Sequence, residues 1–571
     1  MLPISVWSPP TKFGSKSRTW FNGLRGRWIV WGSILITFVI IWLWSPFTHT
    51  SDRVDSLQPY FWRPFEPQIP DSLPLDSNAS VWERRKNEVK DAYVHALSGY
   101  LKHAFPHDEL LSVSGRKSDK FNGWGVTLID SMDTMWMMGL HAQFQDAVRL
   151  VTKMEFTIKG VGYAPFFETT IRYLGGLLSA YALSKEPILL IRADDLGKLL
   201  LPAFNGTPSG LPAYSVNTKT GRTGFGWMGS MVLFSEAASC QLEFKYLAKL
   251  TRRPEYYQRV EKAMDVLYDS NPPDGLFSSS WYPHGIPRGL HYSVGASADS
   301  GYEYLLKQWL LSGDKKARKQ YLESIDGIIN NLFYITAKRE LLYVTDTRGG
   351  RPSHNLEHLS CFLPGILALG AHTLDLPSHV KEVHEWAAKG LAYTCWISYA
   401  DQSSGLGPDV MAMEPGPKWI DQLKIWETEG RKGNIPPGLK EGGTKPRKSR
   451  DYRNSYPVYL LRPETIESLF ILWKTTGDVK WRERGYTIFK ALNKITKTDY
   501  GYAAISGVDG VSPSKMDDMP SYFLAETLKY LYLMFDDSDP YPLNQWVYNT
   551  EAHPLPIFTW EDWEKEVYNI H

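Results

Sequence analysis

The decapeptide YLLRPETIES, Tyr459 to Ser468, sets two carboxylates, Glu464 and Glu467, three residues apart just after Arg462-Pro463. Proline suits the first position of a helix, where its missing N–H costs nothing. Residues three apart share a helix face, so both acids fall in one opening turn. At the least they complement the positive end of the helix dipole. The arrangement recurs. Glu168 opens PFFETTIRYLGG, Asp299 precedes YEYLLKQW, Glu357 and His358 begin EHLSCF, Glu526 lies in SYFLAETLKY, and VYNTEAHPLPI carries Thr550, Glu551 and His553. Each alone reads as a cap or a dipole partner. Together, flanked by aromatic and apolar residues, they predict one polar site at one end of a helical assembly. Several carboxylates in one cleft have two uses. They do general acid and base work, their pKa values pushed apart by burial and repulsion, or they help bind a hard cation such as calcium. Spacing alone leaves both open.

Helices must position these acids. GVTLIDSMDTMWMMGL, ETTIRYLGGLLSAYAL, FSEAASCQLEFKYLAKL, EHLSCFLPGILALG, VHEWAAKGLAYTCWI and ETIESLFILWKTTG all repeat apolar residues at helical spacing. Turns such as SGDKK, TRRPEY and TGDVK separate them. No strand run or strand–helix alternation stands out, so the predicted class is all-α, an array of helical hairpins, closed or open. Residues 414–453, rich in Gly, Pro, Lys and Arg, read as a surface insertion whose basic run is a solvated loop.

Across 571 residues, 43% are hydrophobic and 22% charged, a globular balance, and the net charge of +1 gives no reason to expect a nucleic-acid partner. The N-terminus is more telling. Residues 28–44, WIVWGSILITFVIIWLW, are uncharged and carry Trp at both ends, like an interfacial belt. Residues 1–27 hold Lys12, Lys16, Arg18, Arg25 and Arg27 and no acid. That asymmetry predicts a cytosolic tail, a single-pass signal anchor and a lumenal remainder. A cleaved signal peptide is the rival, but the segment ends in bulky residues with no small-residue cleavage site. Its shortness suits the thinner membranes of the endoplasmic reticulum or Golgi. Residues 45–81 read as a stem and 82–571 as the folded domain. Asn78-Ala-Ser and Asn205-Gly-Thr would accept glycans in a lumen. Of Cys240, Cys361 and Cys395, one disulfide and one free thiol is the simplest allocation. Nothing has the spacing of a zinc site.

WGVTLIDSMDTMWMMGL, FETTIRYLGGLLSAY, ADSGYEYLLKQWL, EHLSCFLPG, YLLRPETIESLFILW, FLAETLKYLYLMF and NTEAHPLPI resemble, in this order, the motifs of class I α-1,2-mannosidases, glycoside hydrolase family 47. The resemblance runs from about Val81 to Ile557. It implies an (α/α)7 barrel, calcium, and inverting release of terminal α-1,2-linked mannose from Asn-linked oligomannose glycans by a monomeric domain. It also assigns roles. Glu464 resembles the base, Glu168 or Asp299 the acid, and Thr550 the calcium ligand, with Glu526 and Glu551 orienting waters around the ion. Glu467 resembles a sugar- or calcium-shell acid. Arg172, Arg462, His358 and Tyr522 resemble walls of the mannose pocket, and Cys361–Cys395 the family disulfide. Three positions depart from the pattern: Ser297 where Arg or Leu is usual, Pro520 where Glu is common, and Asp409 in place of Glu. Ser297 leaves the branch preference open. A mannosidase-like glycan-binding protein with weak catalysis is the alternative reading.

Overall fold

The computed structural model describes residues 80–158 and 162–570, all within the second of two compact units, Ser77–His571. The expected basic tail, anchor and most of the stem, with Asn78, lie outside the described residues. Among those described, no helix is long and apolar enough to cross a membrane.

The helices pair along the chain. After α1 (Val81–His103), α2 (Met132–Met137) packs on α3 (His141–Thr152), α4 (Gly175–Ser184) on α5 (Pro187–Leu200), and α6 (Gln241–Thr251) on α7 (Pro254–Tyr268). Then α8 (Asp299–Ser312) packs on α9 (Lys315–Leu332), and α10 (Leu363–Thr373) on α11 (Ser378–Ala400). Between α11 and the next pair lies α12 (Trp419–Thr428), and α13 (Glu464–Thr476) then packs on α14 (Lys480–Ile495). The last long helix, α15 (Leu528–Phe535), packs back on α1.

Local chemistry makes the hairpins tight. Gly313 ends α8 in the left-handed region at φ 76°, which glycine adopts without a Cβ clash. The next residue, Asp314, caps α9 by accepting from the Ala317 N–H at 2.9 Å. Gly477 (φ 69°) ends α13 in the same way, while Pro187 and Pro254 start α5 and α7. The first helix of each pair is the more enclosed. Every residue of α10 from Leu363 to Ala371 is buried, and so is α13 from Glu464 to Leu472. Partners such as α14 keep one wet face.

Two features differ from the sequence reading. Short antiparallel strands link the helices, including β1 (Ala164–Pro165), β2 (Ser215–Val216) and β3 (Thr223–Gly224) in one sheet and β4 (Asn355–Glu357), β5 (Val410–Met413) and β6 (Tyr452–Tyr456) in another. Runs of two to five residues are too short for alternation to register. The 414–453 region is also not all loop. It contains α12, whose Trp419 is fully buried and donates from Nε1 to the Pro437 carbonyl at 2.8 Å.

Candidate active site

The RPETIES acids stand on a strained approach. Leu461, not a glycine, sits at φ 62°, and its carbonyl accepts from Thr527 Oγ1 at 2.7 Å. Left-handed backbone at a side-chain-bearing residue costs energy and concentrates where geometry matters. It turns Arg462-Pro463-Glu464 inward. Glu464 is buried. Its Oε2 accepts from His358 Nδ1 at 2.9 Å, and Tyr399 Oη lies 2.5 Å from the other ring nitrogen, locking the imidazole. Arg462 Nη1 is 3.8 Å from Glu464 Oε1, while Arg462 Nε donates to Asp409 at 2.5 Å. Burial opposes ionisation of Glu464, but the His358 hydrogen bond and the Arg462 charge outweigh it and hold the carboxyl below its usual range. Glu464 is therefore an anion with an oriented lone pair.

Arg172 ties three other segments together. It lies on a π-helical turn, Thr169–Leu174, a distortion that often re-aims side chains at functional sites. Its Nε donates to Glu168 Oε2 at 2.8 Å, and its Nη1 bonds Glu551. The guanidinium also sits 5.8 Å from the Tyr522 ring centroid. Burial opposes ionisation of Glu168, but Arg172 holds its carboxyl below the usual range. Tyr522 Oη donates to the Leu460 carbonyl at 2.6 Å, so this residue is a strut between the Arg172 side and the RPET approach as well as a wall.

Asp299 opens α8, and its Oδ1 accepts from the Ser300 N–H at 2.9 Å. Burial, with the charges of Glu303 and Glu464 nearby, pushes its carboxyl up to about 7. Two acids that feel one common pit thus differ in state. Near neutrality Asp299 retains much of its proton and Glu464 does not.

Glu526, on a second π-helical turn (Phe523–Thr527), makes no hydrogen bond or ion pair among the described residues. Burial and the charges of Glu551, Glu464 and Glu467 push it well above the ordinary carboxyl range. Burial likewise raises Glu551 against the pull of Arg172. Glu467 is pinned elsewhere: Lys307 Nζ is 3.6 Å away, and Tyr530 Oη donates to it at 3.3 Å. Hydrogen bonds and mutual charge effects thus bring the segments of Glu168, Asp299, Glu464, Glu526 and Glu551 together, while the exposed sequon residue Asn205 lies apart on a 3-10 turn. Cys361 and Cys395 form a disulfide across 34 residues, joining the start of α10 to α11. Cys240 is free and buried.

Several residues that hold the pit went unassigned in the sequence. Asn549 is the hub beneath Thr550. Its Oδ1 accepts from the N–H groups of Glu551 (2.9 Å) and His553 (2.8 Å), while its Nδ2 donates to Glu243 at 2.7 Å. His553 sits between Asp130 (3.0 Å) and Asp133 (2.8 Å), and Lys529 Nζ donates to Asp133 at 2.9 Å. Burial works against charging His553, yet Asp133 raises its pKa and favours the charged ring. Asp130 and Asp133 stand in LIDSMDTMW, where their spacing resembled an ordinary polar interruption of an apolar run. Glycines make room for this hub: a Cβ on Gly175 would lie 2.7 Å from Asn549 Nδ2, and one on Gly176 2.8 Å from the Ile129 carbonyl oxygen.

Thr550 is partly buried, its hydroxyl makes no hydrogen bond among the described residues, and it precedes Glu551, whose charge acts on Glu526. Such an excess of buried carboxylate charge, next to neutral oxygens, is the environment a hard cation satisfies. Among the described residues, no cluster of three His, Cys, Asp or Glu side chains is gathered for direct ligation. The ion that the resemblance implies would be held by Thr550 oxygens and by waters that Glu526 and Glu551 orient.

Buried carboxylates at the ends of paired helices are shared by many carbohydrate enzymes, and comparison decides among them. The profile of Glycosyl hydrolase family 47 matches residues 92–557. The chain belongs to that family. Among relatives, Mannosyl-oligosaccharide alpha-1,2-mannosidase IA of Drosophila melanogaster is 36% identical over 510 residues, covering 86% of this chain and 71% of that protein. The human endoplasmic reticulum mannosyl-oligosaccharide 1,2-alpha-mannosidase is 38% identical over 504 residues, covering 87% and 67%. The solved alpha-1,2-mannosidase from Trichoderma reesei superposes with a TM-score of 0.73 at 30% identity, covering 83% of this chain and 99% of that one. As a family 47 member the protein is a glycoside hydrolase, and the pit just described is where its polar chemistry is concentrated.

Proposed function

We propose that this protein is a calcium-dependent, inverting exo-α-1,2-mannosidase that trims oligomannose N-glycans in the early secretory pathway. It would be anchored by residues 28–44, with its helical hairpins closing as an (α/α)7 barrel around the pit. The observation that carries the reading is the pairing, in one pit, of an ionised Glu464 held by His358 and an Asp299 pushed up to about 7. Acid–base hydrolysis needs one carboxylate that takes a proton and one carboxylic acid that gives one.

Glu464 takes the proton of the attacking water, its anion fixed by His358 from one side and Arg462 from the other. Asp299 hands its proton to the departing glycosidic oxygen. Glu168, paired with Arg172, stays ionised; it stabilises positive charge building on the ring and orients water, in place of the donor role the family likeness also allowed it. Thr550, through its hydroxyl and carbonyl, would hold calcium, with Glu526 and Glu551 fixing its waters. When bound, the ion supplies positive charge that orients sugar hydroxyls. The buried walls exclude bulk water, which strengthens each of these interactions.

The test is mannose release from an oligomannose glycan by the full chain, with and without a chelator, following the anomer of the first product by NMR. Release of β-mannose that stops on chelation and returns with calcium is expected. No release under any condition would leave glycan binding as the activity. An initial α-anomer would exclude inversion.

A further inference from the structure

Outside the pit, the exposed sequon residue Asn205 stands at the edge of a groove. Asn205 ends a short 3-10 helix, Leu201–Asn205, and is itself part of the wall of a groove of about 430 Å³. Tyr163, Pro202, Gly206, Gly221, Arg222 and Thr223 complete the lining. Thr223, one of the lining residues, pairs with Val216 in the β1–β2–β3 sheet. Tyr163, 40% exposed, lines the groove with its ring packed on Gly224, where a Cβ would lie 3.0 Å from Tyr163 Cδ1. A Cβ on Gly206 would meet Ala213 Cβ at 2.6 Å and the Thr223 hydroxyl at 2.8 Å. Glycine at 206 therefore lets the turn after the acceptor asparagine pack closely on Ala213 and Thr223.

We propose that this groove is the cradle of the chain's own N-glycan, with the first N-acetylhexosamines linked to Asn205 lying in it. The lumenal placement of the domain, on which this rests, supplies the modification. The chemistry of the lining matches the ligand. The exposed Tyr163 ring offers a flat face for the C–H face of a pyranose. Arg222 and the Thr223 hydroxyl offer donors for acetamido carbonyl and ring hydroxyl oxygens. The volume falls in the range of about 300–1,000 Å³ typical of sites that enclose small ligands. A covalently attached sugar also meets the groove at high effective concentration, so modest contacts suffice to seat it. Once seated, it covers the strand pair that precedes Phe166, whose N–H donates to the Tyr214 carbonyl at 2.7 Å.

The experiment uses the full chain expressed in eukaryotic cells. Glycopeptide mapping should find Asn205 occupied, with loss of that glycan in Asn205→Gln and in Thr207→Ala but not in Thr207→Ser. Peptide-N-glycosidase should release the Asn205 glycan from the native protein at least about tenfold more slowly than from the denatured chain. The double variant Tyr163→Ala/Arg222→Ala should abolish that difference while mannose release stays unchanged. Equal release from native and denatured wild type, or protection that survives the double variant, overturns the cradle. An unoccupied Asn205 overturns it too, and the thiols then separate the causes: oxidised Cys361 and Cys395 mean the groove alone is wrong, and reduced ones mean the lumenal placement is wrong as well.

Discussion

At the scale of single residues, the pit separates two carboxyl groups by environment. Glu464 is kept ionised by His358 and Arg462 against burial, and Asp299 is pushed up to about 7 by burial and neighbouring acids. Activity requires the first without its proton and the second with it. The rate should therefore hold steady through mildly acidic pH. It should fall as pH rises through about 7, where Asp299 ionises, and fall again only below the usual carboxyl range, where Glu464 protonates. Glu464→Gln should cut turnover of an oligomannose glycan by orders of magnitude while sparing glycan binding. Asp299→Asn should cost about 10²–10⁴-fold on the glycan and remove the alkaline limb. It should cost far less on mannosyl fluoride, whose leaving group needs little protonation. An alkaline limb that persists in Asp299→Asn, with mannosyl fluoride rescuing Glu168→Gln instead, would make Glu168 the donor. His358→Ala removes the hydrogen bond that lowers Glu464, so the acid limb should move toward neutrality; an unmoved limb would show that Arg462 alone sets that carboxyl.

At the scale of elements, the site depends on close approach between α4 and the C-terminal turn. Gly175→Ala would push a methyl group toward Asn549 Nδ2, at 2.7 Å, and Asn549 holds the backbone that follows Thr550, at Glu551 and His553. Calcium-dependent activity should weaken in this variant while the disulfide and helical content stay intact. An unchanged calcium dependence would show that the hub yields without disturbing Thr550. This element was half legible in the sequence. The 3.6-residue repeats and the acids at helix starts announced helices that aim carboxylates at one end, and RPETIES, FETT and NTEAHP marked the segments that meet. Contacts between distant segments left no such mark. Asn549, Asp130, Asp133 and Lys529 form a buried network, yet each looks like a single polar residue in an apolar run. The two π-helical turns that aim Arg172 and Glu526 carry no periodic signature that differs from α-helix over so few residues. Helix α12 was hidden differently: WIDQLKIWET is amphipathic, but the glycines, prolines and lysines after it coloured the whole stretch as loop.

At the scale of the molecule, the buried acids make folding itself a proton-binding event. Burial pushes Glu109, Glu236 and Glu243 up to about 7, as it does Asp299. It raises Glu526 and Glu551 as well. Each folded pKa lies above its unfolded value, so the native state binds more protons between about pH 4 and 7. With more protons in the folded than in the unfolded state, stability falls as pH rises across that window. Asp133, held at about 2 by Lys529 and His553 against burial, does not oppose this trend. Its contribution is complete above the unfolded value and is lost only in stronger acid. The metal-free protein should therefore melt at a higher temperature at pH 5.5 than at pH 7.5. A cation beside Thr550 does for Glu526 and Glu551 what protons do in its absence, so binding should release protons and weaken as pH falls. Calcium at about 1,000 times its dissociation constant adds roughly 4 kcal/mol, and the gain in melting temperature should be larger at pH 7.5 than at 5.5. Calorimetric titration in buffers of different ionisation enthalpy would count the protons released. A metal-free melting temperature that instead climbs from pH 5.5 to 7.5, with no proton release on calcium addition, would mean the acids around Thr550 are already neutralised by the protein's own cations, Arg172 foremost, and that the pit has no charge left for an ion to balance.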